Sequence, residues 1–141
     1  MAAIDLVVLG MIKKQPLSAY DIQKLVEYRN ISKWVKISTP SIYKKVIQLE
    51  EKGYIRSSSV KEGKMPEKAV YSLTDAGEEK FECLMHEIAS QPIHFFLDFN
   101  AVIVNLSSLS PESQRSCLDS IEENVKTLKA YLEENIREKE T

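Results

Sequence analysis

At Gly53 the apolar residues change their spacing, and that change constrains the fold more than any other feature of the chain. Before it, in residues 38–55 (STPSIYKKVIQLEEKGYI), Ile42, Val46 and Leu49 recur at i, i+4 and i+7, the spacing of one helical face. Ser38 or Thr39 caps this helix, Pro40 sits in its first turn where the missing N–H costs nothing, and Gly53 stops it. Beyond Gly53 the period falls to two. Tyr54, Ile55 and Val60 read as one strand, and Ala69, Val70, Tyr71, Ser72 and Leu73 as another. Between them VKEGKMPEK carries Gly63 and Pro66 with Lys61, Lys64 and Lys68, which predicts a hairpin with a long basic tip.

Two further helices precede this unit. Ile4, Val7, Val8 and Met11 stand at helical spacing over residues 3–12, with Asp5 near the start and Lys13 and Lys14 at the end, where they suit the helix dipole. Pro16 breaks that helix, and Ser18 caps a second whose stripe is Ile22, Leu25 and Val26. Residues 29–37 (RNISKWVKI) read as a connection with an extended stretch that pairs into the sheet. Three helices followed by a hairpin is the order of a winged helix-turn-helix, in which the third helix enters the major groove and the hairpin lies beside it.

Downstream, Thr74 caps a helix with the apolar face Phe81, Leu84, Met85 and Ile88, and a linker follows around Gln91 and Pro92. Residues 94–106 (HFFLDFNAVIVNL) are apolar on most sides, and Ser110-Pro111-Glu112 opens a last helix carrying Leu118, Ile121, Val125, Leu128, Leu132 and Ile136 at threes and fours. The expected fold is mainly α with a small β-hairpin: a winged helix-turn-helix domain over 1–74 and a helical dimerisation region over 75–141. So much apolar surface exceeds what the winged helix can cover. A homodimer is therefore expected through Phe95, Phe96, Phe99, Leu118, Ile121, Val125, Leu128 and Leu132. The alternative is a monomer in which these helices fold back on the N-terminal half.

The formal charge of −2 hides an uneven distribution. Residues 1–73 hold 13 Lys and Arg against 7 Asp and Glu, a net of +6, and residues 74–141 hold 6 against 14, a net of −8. A basic half suits a polyanion that an acidic half would avoid. Composition is that of a globular chain, with 43% hydrophobic and 28% charged residues. Residues 6–12 fall well short of the ~20 apolar residues of a membrane span and lack the flanks of a signal peptide, so a cytoplasmic protein is expected. Cys83 and Cys117 form no CxxC pattern and read as free thiols; a role as a redox switch needs one of them to be exposed and reactive. Cys83, His86 and His94 supply no repeated ligand pair, so no metal or other cofactor is expected. Without a Gly-rich phosphate loop or a nucleophile–base constellation, enzyme activity is not expected either.

Residues 6–77 resemble the PadR family of bacterial transcriptional regulators. LVVLGMIKKQPLSAYDIQK is similar to that family's first helix and turn, STPSIYKKVIQLEEKGYI to its recognition helix, and AVYSLTDAGEEKF to its second wing strand and following helix. The later acidic helices resemble its dimerisation region. The chain departs from the family in two places: Lys44 follows Tyr43 where a proline is frequent, and Ser18-Ala19 precedes Tyr20 where His-Gly is frequent. The resemblance implies a homodimeric repressor on a palindromic double-stranded operator, with a pocket for a small hydrophobic or phenolic effector near the dimer helices; Trp34, Phe95, Phe96 and Phe99 are candidates to line it. In that setting Lys44 and Lys45 face phosphates, and Ser41, Tyr43 and Gln48 lie near base edges. Lys61, Lys64 and Lys68 of the hairpin grip the DNA backbone in or beside the minor groove, and Ser38 or Thr39 with the helix N-terminus holds one phosphate. The rival reading is a winged helix that binds an acidic protein partner through the same basic face.

Overall fold

Helix α1 (Ala2–Lys14) opens the fold in the computed structural model, which describes residues 2–140. It buries Val8, Leu9, Met11 and Ile12, a broader face than the spacing of Ile4, Val7, Val8 and Met11 implies, because α1 is packed by more than one neighbouring helix. Helix α2 (Ala19–Tyr28) begins at a reciprocal cap: Ser18 Oγ accepts from the Asp21 N–H at 3.1 Å, and Asp21 Oδ2 accepts from the Ser18 N–H at 3.0 Å. The backbone hydrogen bond from Ser18 is the main reason the Asp21 carboxyl is held below its ordinary range.

Residues 29–37 do not form the extended, sheet-pairing stretch the sequence suggested. Asn30 turns the chain with φ 51°, a single 3-10 turn follows at Ile31–Lys33, and no extended run is left to pair. The sheet's extra partner comes from before α2 instead. Leu17 donates its N–H to the Tyr71 carbonyl at 3.1 Å and accepts from the Tyr71 N–H at 2.8 Å.

Helix α3 (Thr39–Glu51) buries Ile42, Val46 and Leu49, each only 1% exposed, as their spacing predicts. Gly53 closes it at φ 80°, a conformation that costs glycine nothing and other residues about 1 kcal/mol or more. Strands β1 (Ile55–Val60) and β2 (Lys68–Leu73) then pair antiparallel, from Ile55 opposite Leu73 to Val60 opposite Lys68. Ile55 points into the core.

Helix α4 (Asp75–Ala89) starts where three elements meet. Thr74 Oγ1 accepts from the Gly77 N–H at 3.1 Å and donates to the Gly53 carbonyl at 2.6 Å, while the Thr74 N–H donates to the Tyr54 carbonyl at 3.1 Å. A Cβ at position 77 would stand 2.0 Å from that Tyr54 oxygen, so only glycine permits the approach. Further along α4, Leu84 enters the core and Phe81 packs against it; Lys13 of α1 pairs with Glu78 and lies 5.6 Å from the Phe81 ring centroid. Position 74 is thus not a domain boundary, because α4 completes the core of the winged helix. The compact units are Met1–Pro92 and Ile93–Thr141.

In the second unit the helix expected across the apolar segment is shorter than 94–106. Residues 92–97 carry no regular structure, α5 spans Phe99–Asn105, and a 3-10 turn covers Leu106–Ser108. A segment apolar on most sides has no single face to bury, and its Phe residues are poor helix formers. Helix α6 (Pro111–Glu140) then runs for 30 residues, and Ser110 Oγ accepts from the Ser113 N–H at its start. None of the described residues of this unit is buried.

Candidate nucleic-acid interface

The outer face of α3 is set by the three residues that cannot be there. With Ile42, Val46 and Leu49 inward and consecutive helical residues about 100° apart, Lys44 and Ile47 are turned to the opposite side. Lys44 is exposed, Ile47 is 56% exposed and Tyr43 is 42% exposed, whereas Gln48 is half-buried beside them. Ile47 was not among the sequence candidates, although its exposure follows from the same periodicity. An exposed apolar side chain next to a tyrosine on such a face has the chemistry to meet a thymine methyl group.

Two residues of the expected set are committed elsewhere. Lys45 does not point outward. It lies three residues after Ile42 and four before Leu49, on the flank of the core stripe, and its Nζ is 2.8 Å from Asp5 Oδ1 of α1. Both side chains are largely covered, at 12% and 14% exposure, and the angle falls outside hydrogen-bond geometry, so charge rather than direction holds the contact. Lys45 therefore fastens α3 to α1. Ser41 is half-buried, and its hydroxyl proton is committed to the cap: it donates to the Ser38 carbonyl at 2.6 Å and accepts from the Ser38 N–H at 2.9 Å. Donating to a base edge would require breaking that cap, and only one lone pair is left to accept.

Ser38 and Thr39 remain exposed at the N-terminus of α3. Ser38 Oγ accepts from the Ser41 N–H at 3.4 Å, which leaves the hydroxyl proton of Ser38 free to donate outward. Lys36, two residues before the cap, is also exposed, and the sequence reading had assigned it only to a connection.

The hairpin is tied to α3 by Glu50, whose Oε2 accepts from the Ser57 N–H at 2.8 Å. Burial, helped by the Glu50 charge, pushes the Tyr71 phenol up. Past this anchor Lys61 and Lys64 occupy the loop and Lys68 opens β2, all three exposed. Arg56, exposed in β1, adds a cation the sequence reading passed over because it lies in the strand and not at the tip. Cys83 is exposed and Cys117 half-buried, both as free thiols. Among the described residues no helix is long and apolar enough to cross a membrane.

A capped helix with an exposed outer face, followed by a basic hairpin hung from its C-terminal end, defines a winged helix-turn-helix module. The model of the transcriptional regulator PadR-like family matches residues 8–83, and the chain belongs to that family. Among solved structures it is similar to Bacillus subtilis PadR in complex with operator DNA, with a TM-score of 0.74 at 23% identity over 93% of this chain and 76% of that one. The same protein in complex with p-coumaric acid gives 0.73 at 22% identity, over 93% and 75%. A PadR-like transcriptional regulator from Bacillus cereus gives 0.61 at 26% identity, over 93% and 73%. No curated protein matches the chain in sequence.

Proposed function

We propose that this regulator is a cytoplasmic repressor that binds a palindromic operator as a homodimer and is released by a small hydrophobic or phenolic ligand. The observation that carries the DNA reading is the exposed face of α3, with Tyr43 and Lys44 outward beside the cap at Ser38 and the cations Lys61, Lys64 and Lys68 on the adjoining hairpin. Lys44 and the hairpin lysines neutralise phosphates, Ser38 and Thr39 hold one phosphate at the helix N-terminus, and Tyr43 and Gln48 lie at base edges. Lys45 leaves this set for the structural reason given above, and Ser41 stays in it only as an acceptor. The relative solved with operator DNA supports the same reading.

Dimerisation rests on α6. Leu118, Val125, Leu128 and Leu132 are 40–51% exposed along one helix, Ile121 is half-buried among them, and Phe95 and Phe96 stand almost fully in solvent with Phe99 half-buried nearby in sequence. A second copy supplies the missing cover with the symmetry a palindrome needs. The ligand reading rests on the relative solved with p-coumaric acid, a phenol.

Fluorescence anisotropy tests the proposal, using full-length protein, a duplex from upstream of its own gene and a scrambled duplex, across a salt series. Tight binding to the first with a steep salt slope is expected, and p-coumaric acid is the first ligand to add. Equal weak binding to both duplexes would leave the winged helix as a protein-binding module.

A further inference from the structure

One hydrogen bond joins α2 to the exposed face of α3. Tyr43 Oη donates to Gln23 Oε1 at 3.5 Å, and Gln23 Nε2 donates to Glu27 Oε1 at 3.0 Å. The direction of this relay is fixed from its far end. An ionised carboxylate only accepts, so Glu27 must face the amide nitrogen of Gln23, which turns the amide oxygen toward the phenol. The same hydrogen bond is the main reason the Glu27 carboxyl is held below its ordinary range, which keeps it an acceptor. An amide oxygen can only accept, so whenever this contact is made the phenol supplies its single proton to Gln23. What Tyr43 shows to the outside is then its lone pairs.

We propose that Tyr43 is a specificity-determining residue that acts as a hydrogen-bond acceptor in the major groove, and that Gln23 and Glu27 are positioning residues that hold it in that state. In the major groove cytosine N4 and adenine N6 offer protons, whereas guanine N7 and O6 and thymine O4 offer none. Phosphate oxygens offer none either, so the relay turns Tyr43 away from the backbone contacts made by the lysines. At 3.5 Å the bond is long and exchangeable, which makes the selection graded, about two- to tenfold for a single hydrogen bond. The inference rests on the DNA reading of α3 proposed above.

The test is selection of bound sequences from a randomised duplex library by the full-length protein, followed by anisotropy on single-base variants of the selected site. Wild type is expected to select cytosine or adenine at one position of each half-site, with about two- to tenfold loss for guanine or thymine there. Y43F flattens that position and leaves the others intact. Q23M, which keeps the shape but frees the phenol proton, lets guanine or thymine in at that position. Q23E still accepts the proton and restores the preference, even if its added charge lowers affinity for every sequence. A Y43F effect equal across all sequences would make Tyr43 a backbone contact and overturn the proposal. So would an unchanged preference in Q23M, or wild-type selection of guanine or thymine at the Tyr43-dependent position. Failure of wild type to enrich any sequence would instead remove the regulator reading itself, and this proposal with it.

Discussion

The two units of the chain solve the problem of apolar surface in opposite ways. In Met1–Pro92, four helices and the hairpin bury Leu9, Ile22, Ile42, Leu49, Ile55 and Leu84 to 2% exposure or less, so the unit is complete as a single copy. In Ile93–Thr141 an α6 of 30 residues, about 45 Å long, carries leucines, isoleucines and Val125 at threes and fours with none of them buried. Such a helix does not owe its apolar stripe to its own unit, and most helical stability in proteins comes from packing an amphipathic face. The difference teaches where stability should depend on concentration: the first unit should melt the same at any dilution, and the order of the second should follow association.

Truncation is the harshest test of that contrast. A chain ending at residue 92 should retain a cooperative thermal transition by circular dichroism, whereas one ending at residue 74 should lose it, because α4 provides Leu84 and the support of Phe81 to the core. A folded 1–74 fragment would break the comparison at its root.

Next in size come two leucine substitutions that look alike in sequence. Leu84→Ala should cost about 2–5 kcal/mol in urea unfolding of the first unit, since the site is 2% exposed. Leu128→Ala, at 51% exposure, should leave that transition unchanged and shift the monomer–dimer equilibrium in sedimentation velocity. An unaltered sedimentation profile would count against α6 as the dimer helix.

Charge should divide the same way. Lys45→Met strands the buried Asp5 Oδ1 and should destabilise by about 1–3 kcal/mol. Lys126→Met, which breaks an exposed i,i+4 pair with Glu122, should leave the melting curve where it was. Lys44→Met in turn should spare stability and lower the salt slope of DNA binding by about one.

The smallest effect lies at the cap of α2. Ser18→Ala should cost about 1 kcal/mol in the first unit. Because Asp21 is held below its ordinary value of 3.8 when folded, its contribution is fully present above that value and disappears as pH falls through the lower folded value. Asp21→Asn should flatten the acid limb of an unfolding titration by that amount.

Much of this architecture was legible in the sequence, and each failure has a physical cause. The core stripe of α3, the stop at Gly53 and the cap at Thr74 were carried by local spacing and residue type, and the structure agrees; the family resemblance was carried by three motifs, and the family model matches residues 8–83. Lys45 was misplaced because neighbours in sequence were treated as neighbours on the helix surface, although a wheel puts it beside Ile42 and Leu49. For Ser41, residue type shows a hydroxyl but not that its proton is already spent on the Ser38 carbonyl. The boundary at 74 failed for another reason: Gly77 read as one glycine among several, and only the approach of the Tyr54 carbonyl shows why α4 belongs to the winged helix.

The joint at Thr74 also has a mechanical meaning. The end of α3, the end of the hairpin and the first turn of α4 are fastened through one hydroxyl and one missing side chain. A substitution at Thr74 or Gly77 therefore disturbs α3, the hairpin and α4 at once.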